Sequence, residues 1–68
     1  MDQNNAKQER EQVYGVIKHL GRCQFTELSS ICQLSNQSVY RALLFLCRHD
    51  KIRQEWNEDG IWYCIAKS

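Results

Sequence analysis

Val13, Val16, Ile17 and Leu20 recur at helical spacing in the first third of the chain, with polar residues between them, which predicts an amphipathic helix. Asn5 followed three residues later by Gln8 is close to a capping box and sets the predicted start, so the first helix covers about Ala6 to Leu20, with residues 1–5 flexible ahead of it. Gly21 stands where a left-handed helix end is easiest for glycine. Gly15, inside the helix, lowers its stability and is expected to serve close packing against a neighbour. After the link RCQF, Thr26 is a natural N-cap, and Leu28 and Cys32 fall four apart on one face of a short second helix. Leu34 and Ser35 break the pattern. Ser35 caps a third helix running to about His49, in which Val39 packs back on Leu34 as a hydrophobic staple and Val39, Ala42, Leu43 and Leu46 form the core stripe. KIRQEW and IWYCIA, rich in β-branched and aromatic residues, flank the turn-forming NEDG and predict a hairpin.

The expected fold class is therefore mainly α with a small β-hairpin. Its order of helix, helix-turn-helix and C-terminal hairpin describes a winged helix-turn-helix, three helices plus a wing. A length of 68 residues fits one such domain over 1–68 and little more. An apolar share of 43% with 25% charged residues is that of a folded core rather than a disordered tail. No stretch approaches the roughly 18 apolar residues needed to cross a bilayer, and MDQNNAKQEREQ is polar where a signal peptide is apolar. Cytoplasmic localisation without membrane association is expected.

That expectation keeps Cys23, Cys32, Cys47 and Cys64 reduced. Zinc, with His19 and His49 as further ligands, is the sharper alternative. No two of the cysteines have the close spacing of structural zinc sites, however, and three fall where a helix or strand places a small core residue, so metal-free packing thiols are expected. Nor do adjacent elements assemble a nucleophile, a base and an orienting group, so neither a catalytic residue nor a cofactor is expected.

The outer face of the third helix carries the candidate chemistry. At about 100° per residue, Gln37, Arg41, Leu44 and Arg48 lie farthest from Val39 and Leu43, with Ser38 and Tyr40 beside them and Asn36 in the first turn. Glutamine pairs with adenine, arginine grips guanine through two hydrogen bonds, and serine or tyrosine reaches bases or phosphate. Asn36, Gln37, Ser38, Tyr40 and Arg41 are the expected base readers of double-stranded DNA, although the same small polar residues also begin many solvated helices. Lys18, Arg22, Arg48, Lys51 and Arg53 are the expected phosphate contacts. Glu55, Glu58 and Asp59 make the wing acidic, so its tip is not expected to grip phosphate. The net charge of +1 neither demands nor excludes nucleic acid. Leu44, Phe45, Trp56 and Trp62 add apolar surface beyond the core stripe; either the hairpin folds over them, or they form a surface for a second copy or a regulatory protein.

FTELSSICQLSNQSVYRALLFLCRHDKI resembles the helix-turn-helix core of winged-helix transcription regulators, matching at Glu27, Leu28, Leu34, Ser35, Val39, Arg41, Leu43, Leu46 and Ile52. The LLFL run, the short wing and the aromatic GIWYCIA are most similar to the small fimbrial-operon regulators of enteric bacteria. The resemblance spans Val13 to Ala66 and implies a bacterial DNA-binding transcription regulator that reads the major groove through Asn36, Gln37, Ser38, Tyr40 and Arg41. The sequence departs from it in two ways: Asp50 stands where a glycine usually ends the third helix, and the wing is acidic where it is often basic. The competing function is a winged-helix interaction module anchored by Leu44, Phe45, Trp56 and Trp62.

Overall fold

A computed structural model describes residues 2–66. Three helices, α1 (Asp2–Leu20), α2 (Phe25–Cys32) and α3 (Asn36–Arg48), accompany three strands, β1 (Arg22–Cys23), β2 (Ile52–Asn57) and β3 (Gly60–Ile65), in a mixed antiparallel sheet-and-helix arrangement. α1 begins before the expected Ala6, so Asn5 lies within the helix rather than at its cap. Gly21, with φ 90°, ends it, donating its N–H to the Ile17 carbonyl at 2.8 Å.

The expected hairpin is present but is two-thirds of a sheet. RCQF, expected as a plain link, contributes β1, which pairs with β3 through Arg22↔Cys64 and Cys23↔Tyr63, giving the strand order β1-β3-β2. The hairpin register runs from Ile52↔Ile65 to Asn57↔Gly60. Glu58 and Asp59 make the turn; the Asn57 side chain accepts the Asp59 N–H at 2.8 Å, and Gly60 takes φ 118°.

α2 starts earlier than Thr26 suggests. Its N-cap is Gln24, whose N–H donates to the Glu27 carboxylate at 3.0 Å and whose Nε2 donates to the Asp59 carbonyl at 2.8 Å, tying the hairpin turn to the helix start. Gln33, with φ 55°, turns the chain out of α2, and Ser35 caps α3 as expected, its Oγ accepting the Ser38 N–H at 3.2 Å.

Side-chain periodicity decides what is buried. Val13 and Ile17 of α1, Leu28 and Cys32 of α2, and Val39, Ala42, Leu43 and Leu46 of α3 meet Cys23, Ile52 and Tyr63 from one face of the sheet. Leu34 and Phe45 pack against this core in part. Cys23, Cys32 and Cys64 are buried, Cys47 is half-buried, and all four thiols are free. Among the described residues no helix is long and apolar enough to cross a membrane, and no three His, Cys, Asp or Glu side chains gather to hold a metal ion. Gly15 departs from its expected role: a Cβ built there meets nothing within 4 Å, so no neighbour approaches it.

Candidate functional site

Burial of the stripe from Val39 to Leu46 turns the other side of α3 outward. Gln37, Tyr40, Arg41, Leu44 and Arg48 are all exposed along it, and Asn36 is exposed at its start. Tyr40 is 57% and Leu44 41% exposed, so an apolar element stands within the polar row. Among the described side chains the sole ion pair is Arg53–Glu55.

Two expected readers are tied to other side chains of the protein. Ser38 is only 8% exposed, its hydroxyl accepting from Ser35 Oγ at 3.1 Å and from the Arg41 guanidinium at 3.5 Å. It therefore steadies Arg41 from beneath rather than presenting itself to a ligand. The Asn36 carboxamide oxygen accepts the Ser29 hydroxyl at 3.1 Å, which binds the first turn of α3 back to α2 while Asn36 stays exposed. Gln37, Tyr40 and Arg41 remain as outward polar groups at the N-terminal half of the face.

The expected phosphate contacts divide into separate places. Arg48 shares the outer face of α3. Lys51 sits at the joint between α3 and β2, its backbone N–H donating to the Leu46 carbonyl at 2.9 Å. Arg22 and Arg53 both pair in register with Cys64, on the sheet face turned away from the core. There the Arg53 Nε donates to Cys64 Sγ at 3.4 Å and its Nη2 to Glu55 at 3.2 Å; the thiol contact, then the Glu55 charge, hold its pKa above the ordinary value. Lys18 is exposed near the end of α1.

The four apolar candidates do not make one surface. Trp56 and Trp62 occupy opposite faces of the hairpin, because Trp56 pairs with Ile61 and Trp62 with the preceding residue, Glu55. Trp62 is covered by the Arg22 guanidinium at 4.2 Å, and its Nε1 donates to Asn57 at 3.2 Å, whereas Trp56 is 73% exposed. Phe45 is half-buried between the Arg10 guanidinium, 3.8 Å from its centroid, and the His49 ring at 4.1 Å.

Arg10 is the residue that the sequence pattern does not reveal. With Arg41, Arg48 and His49 it lines a groove of about 600 Å³ between α1 and α3, floored by Phe45 and Ala42. Its signal was its position three residues ahead of the buried Val13, which places it at the edge of the inward face of α1. Among the described side chains, three guanidinium groups and one carboxylate, Glu9, line the groove, so this described lining is cationic although the whole chain is nearly neutral. No protein-family model matches the chain, and no curated protein is significantly similar to it in sequence.

Proposed function

We propose that the chain is a DNA-binding transcription regulator of the winged helix-turn-helix type, with α3 as the helix that enters the major groove. The observation that carries this reading is the outer face of α3, where Gln37, Tyr40, Arg41 and Arg48 are exposed together without an intervening carboxylate, on a helix held rigidly by its buried opposite face. The left-handed turn at Gln33 between α2 and the capped start of α3, and the hairpin that follows, support the same reading. So does the resemblance to the small fimbrial-operon regulators. In this reading Gln37 and Arg41 read base edges, Tyr40 and Asn36 reach bases or phosphate, and Arg48 adds backbone attraction. The acidic turn of Glu58 and Asp59 stays clear of phosphate. The reading includes no catalytic step and no cofactor.

Selection of bound sequences from a random duplex pool tests it. Enrichment of a motif, with affinity falling steeply as salt rises, supports DNA recognition. Replacing Arg41 with alanine is expected to cost about 1–3 kcal/mol on that motif and to relax one position, while leaving random-sequence binding nearly unchanged.

A second reading, a protein-interaction module, is favoured by Trp56, whose large ring stands mostly in solvent beside an acidic turn. Failure to enrich any motif, with retention of a protein partner that is lost on Trp56→Ala, would select it.

A further inference from the structure

Gly15 occupies a position that nothing within the chain explains. It lies in the interior of α1, its φ is not positive, and the space over it is open. Such a glycine makes a helix less stable than alanine would. The surface beside it is apolar: Leu20 and Ile31 are each 51% exposed, and with Val16 they line a shallow depression of about 360 Å³ shared by α1 and α2.

Glu11 and His19 border the same depression, four residues before and four after Gly15. Residues spaced by four form one ridge of a helix. The ridge reads acid, no side chain, base, and it is complementary to itself when reversed. We propose that a second copy of this chain docks here, α1 against α1 in opposite directions, about a two-fold axis through Gly15. The two glycines then meet at the crossing, and Glu11 of each copy faces His19 of the other, accepting a hydrogen bond from its ring. A bare ridge lets the helix axes approach to about 8 Å, the close end of helix packing. Leu20 and Ile31 of both copies flank the crossing and lose water. This geometry is isologous, with the same patch on both partners, as a two-fold dimer requires. It is independent of the DNA reading, because the ridge lies opposite Val13 and Ile17, the side of α1 that meets the core, and leaves the outer face of α3 free.

Sedimentation equilibrium of the full chain without DNA, over a concentration series reaching about 1 mM, tests the proposal. A reversible monomer–dimer equilibrium is expected. Gly15→Ala is expected to raise the melting temperature of the monomer yet weaken association at least tenfold, because the added methyl strengthens the helix and separates the axes. Glu11→His and His19→Glu should each weaken the dimer, and the two together should restore it. These positions are exposed, and circular dichroism verifies folding of each variant. A monomer throughout the series overturns the proposal and leaves the depression to another partner. A dimer indifferent to Gly15→Ala, or one that the paired exchange does not restore, overturns it by placing the interface elsewhere.

Discussion

Asp50 carries the chain from α3 toward β2 with φ 58°, a left-handed conformation in which a side chain costs about 1 kcal/mol. Its N–H donates to the Cys47 carbonyl at 3.1 Å, closing the helix, so the strain belongs to a fixed turn. Asp50→Gly is expected to stabilise the fold by up to about 1 kcal/mol, and Asp50→Val to destabilise it by more, as read by urea unfolding. Ser35 is the opposite case, a residue suited to its place: Ser35→Ala removes the acceptor for the Ser38 N–H and should cost about 1 kcal/mol in the same measurement. The capping role of Ser35 was legible because serine before an apolar helical stripe has few other uses. The burial of Ser38 was not, since it depends on two hydroxyls and a guanidinium settling on one another across a helical turn. Arg10 was hidden for a similar reason, its place being defined by Phe45, far along the chain.

α3 was readable as an element because it carries one clear helical period, and the hairpin because β-branched and aromatic runs flank the turn-forming NEDG. β1 was not: two residues show no period, and Arg22 and Cys23 become a strand only through their pairing with β3. The start of α2 was misplaced because Thr26 is the better local cap, whereas Gln24 is held by Glu27 nearby and by Asp59 across the fold. Gln24→Ala is expected to cost about 0.5–1.5 kcal/mol and to quicken amide exchange at the hairpin turn, while exchange in the middle of α3 follows the global change alone. Strand alternation also explains why aromatic richness in the hairpin does not amount to a patch: Trp56 and Trp62 leave the sheet in opposite directions. The outer face of α3 was the part of the candidate site that sequence described well, because one helix supplies all of it.

Across the whole molecule, burial pushes the thiols of Cys23, Cys32 and Cys47 above the ordinary value of 9.0, with the Glu27 charge adding at Cys23. Burial likewise raises Tyr63 above 10.0, aided by Cys47 and Tyr40. The unfolded chain therefore loses these protons first. Their contribution to stability is fully present below about pH 9 and is lost as the pH rises through the unfolded values towards the folded ones. Urea midpoints in reducing buffer should be insensitive to these groups near neutrality and fall above pH 9. The sheet order has a further consequence, for the timing of folding. β3 follows β1 and β2 along the chain but lies between them in the sheet, so a nascent chain that has reached Asp59 holds two strands with nothing between them. Until Gly60–Ile65 emerges, Cys23 and Ile52 have no strand to join, and the apolar sides of the helices lack the Tyr63 that covers them. The helices can form during synthesis, but the sheet that covers the core is complete only once β3 has emerged, so truncation before Gly60 is expected to leave apolar helix faces uncovered rather than a partial domain.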